Sequence, residues 1–337
     1  MQQAPVTLRD VAAASGVSLS TASRALDDRN PRARSATAQH VRKVAEELGY
    51  RRNTFAASLR RGETRTLGVL VPRLSDTVMA LTFEELERAA AGREYFAMVA
   101  TSGDDPEDER RAAETLLGRN VDGLILATAR LDDSLPKHLR ERGVPHVLVL
   151  RTDGVSPSSL GDDEVGGYLA ARHLLDLGHR EIAVVTGPSF TSTAVARLAG
   201  ARRALAEAGV DLPAEWVRAG SYGMDYGMAA GEELLAGGTR PTAVFAANDN
   251  LALGVVTAAG RRGLAIGRDL AVVGYNDIPL AARLATPLTS VHVPLEQIAR
   301  TAIDLITEPG RSPEIRKAMP TLMPRASSGP RREGLGR

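Results

Sequence analysis

The chain has 337 residues, 43% hydrophobic and 25% charged, a balance ordinary for a folded protein and a length that points to two or three domains. It has no cysteine, which excludes disulfides, thiolate metal sites and cysteine nucleophiles, and no apolar stretch approaching the roughly 18–20 residues of a membrane span. The formal net charge of +1 is uneven: residues 1–65 hold 12 basic and 6 acidic side chains (+6), leaving 30 basic and 35 acidic (−5) in the remainder, which suggests a head that meets a polyanion.

The N-terminus, MQQAPVTLRD, lacks the basic start and apolar core of a secretory signal, so a cytoplasmic protein is expected. Three short helical patterns follow. Thr7 can cap the first, with Asp10 as its capping-box partner, Leu8, Val11 and Ala12 as its apolar stripe and Gly16 as its end. In the second, GVSLSTASRAL (16–26), Ser18 can cap; Ala22, Ala25 and Leu26 fill one side, while Ser20, Ser23, Arg24 and Asp27 recur on the other. Serine and threonine are mediocre helix formers, so such a face is either a solvated, capped helix or a contact surface. The third pattern runs from about Ser35 to Leu48, with Val41, Val44, Ala45 and Leu48 at i, i+3, i+4 and i+7 and Gly49 as its stop.

Two short helices joined by a glycine-containing turn and braced by a third form a helix-turn-helix unit, here residues 1–52, whose second helix enters the major groove of DNA. Ser20, Thr21 and Ser23 allow close approach and can donate to phosphates or bases. The fork of Arg24 matches guanine O6 and N7, and Leu19 suits a thymine methyl. The plainer reading of Arg24 is an ion pair with Asp27 or Asp28.

Beyond Arg65 short apolar runs alternate with amphipathic helices. The runs LGVLVP (67–72), YFAMVAT (95–101), VDGLILAT (121–128), PHVLVL (145–150), EIAVVTGP (181–188), PTAVFAAN (241–248) and LAVVGYND (270–277) read as buried strands. Helices are expected over 83–92, 106–118, 164–177, 194–208 and 249–262. This alternation predicts doubly wound parallel sheets with helices on both faces, in two lobes spanning 66–325. Ligands of such sheets bind beyond the carboxyl ends of strands, which singles out Ser75, Asp76, Asn248, Asp249, Asn276 and Asp277, with Arg197 on the segment after the fifth strand. Amides, carboxylates and a clamped arginine suit a sugar-like effector, whereas helix capping is the plainer role for Asn248, Asp249 and Asp277. The acidic run 104–109 reads as a helix start around Pro106, not as catalytic carboxylates. The Gly-, Pro- and Arg-rich end, 326–337, is expected to be disordered.

The segments VTLRDVAAASGVSLSTASRAL, VRKVAEELGYRRN and FAASLRRGETRTLGVLVP resemble the lac repressor / galactose repressor family of bacterial transcription regulators, and the similarity runs from Val6 to about Leu322. The resemblance implies that Leu19, Ser20 and Arg24 read bases, while Thr7, Leu8, Thr21, Ser23, Thr37, Tyr50 and Asn53 contact the DNA backbone or orient the helix. It implies a hinge helix over 53–60, within a linker of 53–65, that folds on the operator, with Leu59 wedged into the minor groove beside Ala56. Arg52 replaces a proline usual before the hinge asparagine, and Ala57 a longer polar residue. For the body the resemblance implies two periplasmic-binding-protein-like lobes clamping a small effector, with Ser75, Asp76, Met79, Arg197, Tyr222, Asn248 and Asn276 around it. Asn276 stands where aspartate is common, Val195 where arginine or a polar residue is frequent, and Asp76-Thr77-Val78-Met79 where Asn-Pro-Phe-Phe is frequent, which removes two aromatic stacking surfaces.

Two other classes fit less well. The six histidines have no metal-ligand spacing, and no GxSxG, P-loop or strand-linked GxGxxG occurs, so neither an enzyme nor a cofactor is expected. A transport solute-binding protein would need an export signal and would lack the basic head. The expected protein is a homodimeric regulator, a repressor, that binds a palindromic operator in double-stranded DNA and no membrane. Its operator affinity would be set by a small effector: a carbohydrate, or alternatively a purine- or nucleoside-type corepressor.

Overall fold

The computed structural model describes residues 6–26, 35–50, 63–132, 134–308 and 314–331. The chain divides into two compact units, Met1–Thr64 and Arg65–Arg337.

The first unit contains the three expected helices, α1 (Leu8–Ala14), α2 (Leu19–Ala25) and α3 (Ala36–Glu47). Thr7 and Asp10 close a full capping box, and Ser18 and Ser35 cap α2 and α3 by accepting from the N–H groups of Thr21 and Ala38. Val11, Ala12, Ala22, Ala25, Ala38, Val41 and Ala45 form a small core, with Leu8, Val17, Leu26 and Tyr50 packed on its edge. Leu48, expected in the stripe of α3, lies past the end of that helix and is 39% exposed. The expected hinge, with Asn53, Ala56 and Leu59, lies outside the described residues, as do Asp27, Asp28, Arg52 and Ala57.

The second unit is built on two six-stranded sheets of the same winding. The strands and helices of the first lobe are β1 (Thr66–Val71), α4 (Thr77–Ala91), β2 (Phe96–Thr101), α5 (Pro106–Leu117), β3 (Gly123–Leu126), α6 (Leu135–Glu141), β4 (His146–Val149) and β5 (Ser158–Gly161). The chain then enters the second lobe with α7 (Asp163–Asp176), β6 (Ile182–Thr186), α8 (Ser192–Glu207), β7 (Val217–Ala219), α9 (Met224–Leu234), β8 (Ala243–Ala246), α10 (Asp249–Arg261), β9 (Ala271–Asn276) and β10 (Thr289–His292). It returns to pack α11 (Leu295–Thr307) on α4, β4 and β5, and finishes with β11 (Ile315–Ala318) and β12 (Thr321–Met323), one strand for each sheet.

The sheet orders are β11-β5-β4-β3-β1-β2 and β12-β10-β9-β8-β6-β7. Every pairing is parallel except β10 with β12. The winding reverses beside β1 in one sheet and β6 in the other, and a reversal opens a crevice beyond the strand ends. The apolar runs occupy the interior: Val69, Ile125, Val147, Val184, Phe245 and Val273 are inaccessible. In the second lobe α7 and α8 cross closely at Gly167 and Gly200; a Cβ on either would lie 2.0 or 1.9 Å from the carbonyl oxygens of Arg197 and Glu164. That crossing fixes where Arg197 sits.

One expectation is corrected. Residues 326–331 are not disordered but form a strap over the second lobe. Ser327 is fully buried; its Oγ donates to the Val272 carbonyl at 2.6 Å and accepts the Thr289 N–H at 2.8 Å. Ser328 Oγ meets Thr289 Oγ1 and His173 Nε2, the Gly329 carbonyl meets His179 Nε2 at 3.0 Å, and Arg331 N–H donates to the Leu177 carbonyl. Glycine and serine here bring the backbone close to a sheet instead of loosening it. Residues 332–337 lie outside the described residues.

Candidate nucleic-acid face and interlobe cleft

On α2 the buried side is Ala22 and Ala25, and the opposite side is polar. Leu19 is an apolar side chain left 45% exposed, and Ser20 and Arg24 are exposed beside it. Ser18 Oγ joins the hydroxyls of Ser20 and Thr21 at 3.0 and 2.8 Å. Arg24 Nε donates to the Ser20 carbonyl at 3.2 Å, which lays the guanidinium stem back along the helix. Thr7 and Thr37 are exposed at the N-terminal ends of α1 and α3, where helix N–H groups favour phosphate. Ser23 and Thr21 are half-buried, and Leu8 and Tyr50 pack against the edge of the head core.

In the body the carboxyl ends of the two sheets meet. Leu131, after β3, donates its N–H to the Phe190 carbonyl, after β6, at 2.8 Å, and the Arg130 guanidinium lies 3.5 Å from the centre of the Phe190 ring. Thr152 N–H, after β4, donates to Ser192 Oγ at the start of α8 at 3.0 Å. These contacts join the two lobes at the strand ends beside both winding reversals, where a crevice is expected.

The expected cleft residues divide by what their polar atoms already do. Arg197 is 6% exposed; its Nε donates to Asp163 Oδ1 at 2.7 Å, its Nη1 to the Ala247 carbonyl at 2.6 Å, and its plane lies 3.7 Å from the centre of the Tyr275 ring. Burial opposes both charges of this pair, raising the Asp163 carboxyl and acting to lower the guanidinium, but the attraction of Asp163 prevails and holds Arg197 above its ordinary pKa. Burial also pushes the Tyr275 phenol well up. Asn248 is fully engaged as the cap of α10: its Oδ1 accepts from Leu251 N–H at 2.7 Å and its Nδ2 donates to the Tyr222 carbonyl at 3.1 Å. Tyr222 lays its ring over Gly187, where a Cβ would stand 2.1 Å from the ring, and its hydroxyl meets Thr191 and Thr193.

Asp76 caps α4 through Oδ1, which accepts from Val78 N–H at 3.0 Å, and burial raises its carboxyl pKa. Ser75 is exposed beside it, and Met79 is turned into the lobe core. Asn276 and Asp277 both have left-handed backbones, φ +96° and +56°, a strain of about 1–3 kcal/mol each that concentrates at working sites. The Asn276 carboxamide makes no hydrogen bond among the described residues, whereas Asp277 is ion-paired with Arg325 at 2.6 Å. Asp249 is buried, accepting from Ser290 Oγ and Ile278 N–H. The acidic run behaves as a helix start: Asp105 caps α5, with Pro106 in its first turn.

Sequence reasoning missed Arg151, Asp163 and Tyr275. Arg151 and Asp163 lie just past the ends of β4 and β5, so the strand-end rule could have found Arg151 after PHVLVL. Asp163 and Tyr275 gave no signal of their own, since their roles arise from packing on Arg197. Among the described residues no group of histidines, aspartates and glutamates could hold a metal, and no helix is long and apolar enough to cross a membrane.

Known proteins share both units. Residues 7–53 match the model for bacterial regulatory proteins of the lacI family, and residues 171–328 that for a periplasmic binding protein-like domain. The ribose operon repressor of Escherichia coli strain K12 is 33% identical over 329 residues, covering 96% of this chain and 99% of the relative. Among solved structures, the transcriptional regulator CelR–cellobiose complex is 32% identical with a TM-score of 0.73, covering 96% of this chain and 100% of the other. The lac repressor dimer bound to operator and an anti-inducer is 27% identical with a TM-score of 0.86, covering 97% and 100%.

Proposed function

Because this chain belongs to the lacI family of bacterial regulatory proteins, we propose that it acts in the cytoplasm as a homodimeric repressor. The α2 face would read each half of a palindromic operator, and a carbohydrate in the interlobe cleft would set its affinity. Leu19, Ser20 and Arg24 are the base-reading residues and Thr7, Thr21, Thr37 and the linker the backbone contacts; no catalytic role is assigned to any residue. The observation that carries the reading is the division of α2, whose apolar side is consumed by the head core while Leu19, Ser20 and Arg24 stay on solvent.

Coupling follows from where the chain enters the body. Arg65, just before β1, has φ +53°; its N–H donates to Asp122 Oδ2 at 2.7 Å and its guanidinium pairs with Glu94 at 2.8 Å. A change in the first lobe on effector binding would act at Arg65, where the chain is held to that lobe. An effector that favours one lobe arrangement changes operator affinity by the same factor by which operator changes effector affinity. Selection of binding sites from a random duplex library with the full chain tests the reading: an inverted repeat should be enriched, and recovery of no common sequence would overturn it. A panel of neutral and charged sugars titrated into the selected complex then shows whether the ligand releases or tightens it.

A further inference from the structure

Where the facing strand ends of the two lobes meet lies a buried cation that no side chain among the described residues pairs with. Arg151 follows β4, is 6% exposed, and makes no side-chain hydrogen bond or ion pair among the described residues. The Tyr222 ring of the second lobe lies beside it, with the guanidinium carbon 5.8 Å from the ring centre. The surrounding acids act on it only through space, because each is engaged elsewhere. Asp76 caps α4, Asp104 pairs with Arg73, and Glu109 takes the Thr128 hydroxyl.

The other buried guanidinium of the cleft, Arg197, shows how this fold treats such a group when it is structural: a carboxylate at 2.7 Å, a carbonyl and an aromatic face. Arginine cannot escape burial by giving up its proton, so an unpaired one is held at a substantial penalty. That penalty persists where a ligand removes it, and a carboxylate or phosphate does so with two parallel charge-assisted hydrogen bonds. We infer that the effector carries an anionic oxygen group, a carboxylate or a phosphate, and that Arg151 receives it between the first lobe and Tyr222. This rests on the cleft being the effector site. Asn276, whose carboxamide is uncommitted, and Asp76 are then left for the hydroxyls of the same molecule.

The test uses the full chain and matched ligands: glucose, gluconate, glucuronate and glucose 6-phosphate, ribose and ribose 5-phosphate, and inorganic phosphate as the minimal probe. Thermal shift and calorimetry should show an acidic member binding at least about tenfold more tightly than its neutral parent. Arg151→Gln should erase that preference, and Arg151→Lys should retain part of it. A response to gluconates favours a sugar acid and one to the phosphates a sugar phosphate, either of which supports the inference. Without ligand, Arg151→Gln should melt at or above the wild-type temperature, since it removes an uncompensated charge. A response to the anions that is equal in wild type and Arg151→Gln overturns the inference, as does an unliganded variant melting several degrees lower. Failure of the cleft reading itself looks different: no sugar, neutral or acidic, changes operator affinity.

Discussion

The Arg197 guanidinium is held between the Asp163 carboxylate, 2.7 Å from its Nε, and the Tyr275 ring, 3.7 Å from its carbon to the ring centre. This relationship alters what a mutation at the proposed effector arginine should report. Arg197→Ala leaves Asp163 buried without its partner, which costs about 3–5 kcal/mol. The variant should lose effector response and also melt several degrees lower in a thermal scan. The double variant Asp163→Asn/Arg197→Met should recover part of that stability but none of the response. A wild-type melting temperature for Arg197→Ala would show that Arg197 serves the ligand alone.

Arg24 and Leu19 are exposed side chains of α2, and the proposed reading assigns base recognition to them. Arg24→Ala should relax base preference at one position of each half-site, at about 1–3 kcal/mol per lost bidentate contact. It should leave the head folded, because the core is made by Ala22, Ala25 and their neighbours on the other side. Competition gel shifts with single-base operator variants measure this; an unchanged preference would return Arg24 to a role within the helix. Leu19→Ala should weaken binding most where the contacted base is thymine.

The elements legible in the sequence were those whose composition matched their burial. LGVLVP and the AVFA within PTAVFAAN are wholly apolar, and β1 and β8 were visible for that reason. Strand β5 was not, because SSLG hides its serines: Ser158 Oγ donates to the Ser156 carbonyl and Ser159 Oγ to that of Ile298, both at 2.8 Å. Helix α9 was obscured by its glycines; a Cβ on Gly227 would lie 2.4 Å from the Leu251 carbonyl of α10. In the site, the strand-end rule located Asp76, Asn248 and Asn276 but could not say whose polar atoms were free. That depended on caps and on Asp163, which lies 34 residues from Arg197 along the chain.

The C-terminal strap is pinned by two histidines whose pKa values burial depresses, His173 on Ser328 and His179 on Gly329. The unfolded chain binds their protons more readily, so their contribution to stability is complete above about pH 6.5 and is lost as pH falls below it. His146, also depressed by burial, adds to the same loss. Amide exchange across 326–331 should accelerate between pH 7 and 5 once corrected for intrinsic rates. Deleting residues 326–337 should lower the melting temperature, whereas deleting 332–337 should not. Equal, unchanged melting for both truncations would mean that the strap adds nothing.

Asp249 has the opposite dependence. Burial, reinforced by neighbouring Asp277, raises its pKa to about 6, although hydrogen bonds from Ser290 and the Ile278 N–H oppose the shift. The folded protein keeps a proton that the unfolded chain releases near the ordinary aspartate value of 3.8, so this residue adds stability as pH falls from 7 toward 4. At neutral pH its ionised form is disfavoured by about 3 kcal/mol relative to an exposed carboxylate. Asp277 is itself held by Arg325 and lies 3.4 Å from His292. Asp249→Asn should remove this dependence: relative to wild type, the variant should be most destabilised at pH 5 and least at pH 7.5. Denaturant melts at both pH values, with the histidines intact in each protein, isolate the difference. A gap that is constant with pH would show that Asp249 keeps an ordinary pKa and that its bonds to Ser290 and Ile278 outweigh burial.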